Sequence, residues 1–108
     1  MSTWPPPPDL ESIAELVANA DIEGFIADGA PADEYEGEAE AIHNALAGWA
    51  TAELTRPRIA AALELVWRRS FSLDDAAYEG RRNGVEALAA EIAHYFGPEA
   101  QPRVRGQR

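Results

Sequence analysis

At 108 residues, with 46% apolar and 26% charged side chains, the chain has room for one packed core and not for two. The formal net charge of -10 opposes nucleic-acid binding, which needs a basic face, and the absence of cysteine excludes disulfides and thiolate metal sites. Charge is also divided along the chain, for the first 55 residues carry 12 carboxylates and no Lys or Arg, and all nine arginines lie at or beyond Arg56.

The amino terminus has neither a basic region nor an apolar one ahead of a cleavage site, and no run of about 18 apolar residues exists to cross a membrane. A soluble, cytoplasmic protein without membrane contact is the expectation. Trp4 and the prolines at 5–8 predict a short polyproline II arm, because proline fixes φ and removes the amide donors that a helix needs. The arm reads either as a tether whose tryptophan packs on the domain or as a ligand for a proline-binding module.

Asp9 then caps a helix over about 9–19, with Leu10, Ile13, Leu16, Val17 and Ala20 at helical spacing. Asp21 predicts a second, short helical piece with Ile22, Phe25 and Ile26, ended by Gly29 and Pro31. Tyr35, Ala39, Ile42, Leu46 and Trp49 fall at intervals of 4, 3, 4 and 3, the stripe of an amphipathic helix whose acids gather at its amino end. Thr55 caps the next helix, with Pro57 in its first turn and Ile59, Ala62, Leu63, Val66 and Trp67 as its apolar face. Phe71 and Leu73 read as loop anchors. Asp74 or Asp75 starts the last helical region, with Val85, Leu88, Ala89, Ile92, Tyr95 and Phe96 turned inward, Gly84 as a weak point, and Gly97 and Pro98 as the stop.

No segment alternates as a strand does, so the fold class is all-α. Short connections give a small bundle of four main helices plus a short helical piece, with antiparallel neighbours. The organisation is an amino-terminal arm at 1–8, a single domain at 9–97 and an arginine-containing tail at 98–108. Arg103, Arg105 and Arg108 in that tail lack an apolar pattern and are expected to fray, or to fold back on the acidic half.

Three constellations bear on function. Glu15, Glu40 with His43, Glu64, and Glu91 with His94 follow the chain order of a carboxylate di-metal bundle. Helical phase, at about 100° per residue, turns Glu40, His43 and His94 away from their own apolar stripes, so solvated side chains sharing a spacing are the plain reading. A metal-binding bundle is one alternative. Trp49 and Trp67 lie on apolar stripes as core or interface anchors, and a homodimeric scaffold sealed by one of them is another. No nucleophile elbow, phosphate loop or catalytic triad can be assembled, which leaves a chain without an expected enzymatic activity or cofactor.

The third constellation is Asp28, Asp33, Glu34, Tyr35, Glu36, Glu38 and Glu40. It reads as a loop and a capping turn, or as an acidic recognition surface with Tyr35 as its aromatic anchor, extended by Asp21 and Glu23. The run Asp21-Ile22-Glu23-Gly24-Phe25-Ile26, followed by Gly29-Ala30-Pro31-Ala32-Asp33-Glu34-Tyr35-Glu36 and an amphipathic helix, resembles the YugE-like family of small bacterial helical proteins of unknown function. Glu36 stands where that family usually has aspartate, and Glu23 where an apolar residue is frequent. The resemblance implies a helical fold and assigns no catalytic residue. The leading expectation is a non-enzymatic domain that binds a basic protein partner through its acidic half, in the manner of an immunity or antitoxin-like protein.

Overall fold

The computed structural model describes residues 6–31, 33–98 and 100. Trp4 and the start of the proline arm lie outside the described residues, as do Arg103, Arg105 and Arg108. Five α-helices follow in order: α1 (Leu10–Ala20), α2 (Glu36–Leu46), α3 (Arg56–Phe71), α4 (Asp75–Glu79) and α5 (Arg82–Phe96). A single 3-10 turn, Thr51–Glu53, precedes α3, and no strand occurs among the described residues. The fold is thus all-α, four main helices and a short one.

Helix ends follow local chemistry. Asp9 accepts the Ser12 amide at 2.9 Å and so satisfies one of the orphan donors of α1. Asp74 does the same for α4 through the Ala77 amide at 2.8 Å. Thr55 precedes α3 and Pro57 sits in its first turn, but the cap is made by backbone geometry, without a side-chain hydrogen bond. The stripe predicted to run to Trp49 stops at Leu46, because Gly48 takes φ 84° and turns the chain; Trp49 is half-buried in the connection.

Three expectations are corrected. The short helix is α4, whereas 21–30 form successive turns, since Gly24 (φ 76°) and Gly29 (φ 108°) adopt left-handed backbone that no helix continues through. Phe71 closes α3 instead of standing in a loop, and the last helical region is broken at Gly80 and Arg81 into α4 and α5.

Packing makes a closed ring, for α1 lies against α2, α2 against α3, α3 against α5 and α5 back against α1. Ile13, Val17, Ile42, Ile59, Leu63, Trp67, Val85 and Ile92 are fully buried within it. Each such aliphatic side chain contributes roughly 1.5–3 kcal/mol of transfer free energy. Gly97 closes the end of α5 where a Cβ would stand 2.4 Å from the Leu54 carbonyl, so only glycine lets these backbones approach.

This ring order places the cation-free α1 and α2 side by side and the arginine-bearing α3 and α5 together. The charge division of the sequence therefore becomes a division between two sides of the bundle. On the second side it is largely neutralised. Arg56 pairs with Glu86, Arg58 with Glu53, Arg68 with Glu64 and Asp75, Arg81 with Glu23, and Arg82 with Glu79. Most of these pairs are solvent-exposed and worth about 0–1 kcal/mol each.

Candidate functional site

The acidic stretch between α1 and α2 resolves into two environments. In the first, Asp21 ends α1 at φ 44°, and its carboxylate accepts the amides of Ile26 at 3.1 Å and Ala27 at 2.9 Å. It also accepts the Tyr35 hydroxyl at 2.7 Å, and the same hydroxyl oxygen accepts the Glu23 amide at 3.0 Å. Tyr35 is thereby a clamp that joins both ends of the connection. Only 2% of it is exposed.

Glu23 turns inward from that clamp. Its Oε2 accepts the Trp67 indole N–H at 2.7 Å and the Arg81 Nε–H at 2.9 Å, and Oε1 accepts Arg81 Nη2 at 2.9 Å. The carboxylate side chain is 6% exposed, so a buried charge is met by a two-pronged guanidinium and an indole donor. Beside it, Phe25, Tyr35, Trp67 and Phe71 form a closed set of rings with centroids 5.3–6.0 Å apart. Ile22 packs within 3.3 Å of where a Gly84 Cβ would lie, which explains that glycine in the first turn of α5: the loop needs the space.

Titration behaviour follows from these contacts. Burial alone would push the Glu23 carboxyl up, but the hydrogen bonds from Arg81 and Trp67 and the guanidinium charge outweigh it, leaving the pKa below the ordinary range. The Tyr35 hydrogen bond, against some burial, holds the Asp21 carboxyl low, with help from the Ala27 and Ile26 amides. Burial first, and then Asp21, pushes the Tyr35 hydroxyl up to about 12.

The second environment is outward. Asp28, Asp33, Glu34, Glu36 and Glu40 are exposed and Glu38 is half-buried. None of these six carboxylates is in an ion pair among the described residues. Tyr35 does not belong with them as an exposed anchor, because its ring and hydroxyl are consumed inside; Asp21 and Glu23 likewise do not extend the surface. Behind the outward acids, α1 and the start of α2 enclose a groove of about 390 Å³ lined by Ala14, Glu15, Ala18, Asn19, Asp33 and Glu36, with Tyr35 in its wall.

The other sequence candidates do not converge. Glu40, Glu91 and His94 are exposed and Glu64 is engaged by Arg68 at 2.8 Å, while His94 meets Tyr95 edge-on. Among the described residues no group of three or more His, Asp or Glu is placed to hold a metal ion. Trp67 is completely buried and so is a core residue, not an interface anchor. No helix is long and apolar enough to cross a membrane among the described residues.

Sequence reasoning missed the Glu23, Trp67 and Arg81 contact. The available signal was a single glutamate set among Ile22, Phe25 and Ile26, where a solvated acid has no reason to be. No protein-family model matches the chain, and no curated protein or solved structure shows significant similarity to it.

Proposed function

We propose that the chain is a non-enzymatic, cytoplasmic protein-binding domain, immunity- or antitoxin-like, whose outward acids at 28–40 receive a basic protein partner. One observation carries this reading. Five of the six described arginines are matched to carboxylates, whereas Asp28, Asp33, Glu34, Glu36, Glu38 and Glu40 stand outside every ion pair among the described residues.

Folding gives only part of this cluster a purpose. The α2 macrodipole favours acids in the first turn by about 0.3–1 kcal/mol each, which accounts for Glu36 and Glu38. Glu40 lies past that turn and one helical turn from Glu36, a like-charge spacing that costs roughly 0.2–0.5 kcal/mol. A surface that retains such repulsion is suited to long-range attraction of a cationic partner. The kinship with YugE-like proteins is also proposed, on the 21–36 segment alone.

Affinity capture with the wild-type domain and with a variant carrying Asp33→Asn, Glu34→Gln, Glu36→Gln and Glu40→Gln tests the reading. A basic protein held by the wild type, lost by the variant and released as salt shortens the screening length below about 8 Å is the expected result. Equal recovery of the same proteins by both forms refutes it.

A further inference from the structure

We infer that the outward face of α3, with the groove beside Trp49, docks an amphipathic helix of a partner protein that carries an apolar side chain and, about two turns away, a carboxylate. This surface is separate from the outward acids and does not rest on their reading. Among the described residues Leu65 is the most exposed large hydrophobic, at 73%. At about 100° per residue, Arg58, Ala61, Leu65 and Arg69 fall within about 80° of one another, roughly opposite the buried Ile59, Leu63, Val66 and Trp67. All four are exposed. One turn before Leu65, Ala61 and Arg58 line a groove of about 310 Å³ together with Glu53 and the half-buried Trp49.

Charge supplies the occupant's second feature. Arg69 is the one described arginine outside every ion pair, and the stripe holds no acid that could meet it. Arg58 is not counted with it, because Glu53 lies 3.9 Å away. Glu53 also accepts the Ala50 amide at 2.8 Å, and its charge repels an acid from the Trp49 end. The stripe therefore has a fixed sense, apolar at the groove and cationic at Arg69. Ala61 and Arg69 are eight residues apart, about 12 Å along α3. A second copy docked here would bring Arg58 and Arg69 of both chains onto one interface, so a different, acid-bearing chain is selected. A helix is selected over an extended strand, because α3 satisfies its own amides and carbonyls along this stretch and offers none to an extended backbone. The small Ala61 lets the two helices close to contact, with the partner's apolar side chain over Ala61 and against the Trp49 ring.

The probe is a blocked peptide of about 16 residues in an alanine and glutamine background, with two leucines one turn apart and a glutamate one further turn along the same face. Beside it stand a counterpart with lysine for the glutamate and another with serine for both leucines. Each is titrated into the whole chain by calorimetry and amide NMR. Expected are binding of the glutamate peptide, about threefold or more weaker binding of the lysine peptide, none of the serine peptide, and amide shifts centred on 49–53 and 58–69. Leu65→Glu is expected to weaken the glutamate peptide about tenfold, or about 1.4 kcal/mol. Arg69→Glu is expected to invert the order of the glutamate and lysine peptides, and it takes the place of Leu65→Glu should circular dichroism show that the latter unfolds. Leu10→Gln, on α1, stays within about twofold of wild type.

No binding of the glutamate peptide at about 1 mM overturns the inference, as do equal binding of the lysine peptide, binding by folded Leu65→Glu within about twofold of wild type, or shifts centred on 33–40. Self-association of the chain that Leu65→Glu abolishes, read by sedimentation, assigns the face to a second copy and overturns it too. The acidic surface is tested apart from this face, by the capture with its neutralised variant, so either can fail alone.

Discussion

Two neighbouring groups of acids, Asp21 with Glu23 and those from Asp28 to Glu40, share a sequence character and have opposite physical fates. In the first, Asp21 and Glu23 turn their charges inward onto amides, a hydroxyl, an indole and a guanidinium. In the second the carboxylates point outward and outside ion pairs among the described residues. The contrast teaches that a count of like charges is not a surface. What separates the two is the left-handed backbone at Asp21 and Gly24, which folds the first stretch back over α3 and α5 before α2 begins.

The sharpest way to break this comparison is Glu23→Ala, which strands the Arg81 guanidinium and the Trp67 indole. A loss of about 3 kcal/mol in urea unfolding is expected, at the lower end for a broken buried pair because Arg81 is 36% exposed. Asp33→Asn with Glu36→Gln should change stability by no more than about 0.5 kcal/mol. If the two variants cost alike, the distinction between inward and outward acids is wrong. Tyr35→Phe comes next, at about 1.5 kcal/mol, because it keeps the ring but leaves the Glu23 amide and an Asp21 oxygen short of a partner.

Titration sharpens the comparison from another side. The folded pKa values of Asp21 and Glu23 lie below their ordinary 3.8 and 4.5, so their contribution is present above those values and is lost as pH falls through the depressed ones. Glu23→Gln should flatten that acid limb of a stability profile. Tyr35 behaves oppositely: its contribution is complete below 10.0 and is lost as pH rises towards about 12, an alkaline limb that Tyr35→Phe removes. The smallest effect belongs to Glu40→Gln, which relieves the repulsion with Glu36 and should stabilise the fold by roughly 0.2–0.5 kcal/mol, read as a slight rise in Tm.

The bundle itself was legible because its stripes are local. Ile13, Leu16 and Val17, and Ile59, Leu63, Val66 and Trp67, announce their helices by spacing and are buried as that spacing requires. The outward acids were legible as well, although Tyr35 was assigned to the wrong side. A tyrosine at the mouth of an acidic helix gives no sign of direction until the fold brings Asp21 and the Glu23 amide to its hydroxyl. The turns at 21–30 escaped because Ile22, Phe25 and Ile26 mimic a helical period, and only the glycine backbone angles break it.

The distance along the chain from Glu23 to its partners has a consequence for synthesis. Glu23 waits for Trp67, 44 residues on, and for Arg81, 58 residues on. At an elongation rate of about 5–20 residues per second, roughly 3–12 s pass between the emergence of the acid and of the cation that holds it. Glu23 is therefore made well before the indole and the guanidinium that hold it. A chain cut short before Arg81 would still hold the residues of the Asp21 and Tyr35 clamp but would leave Glu23 without its guanidinium, one more charge beside the outward acids.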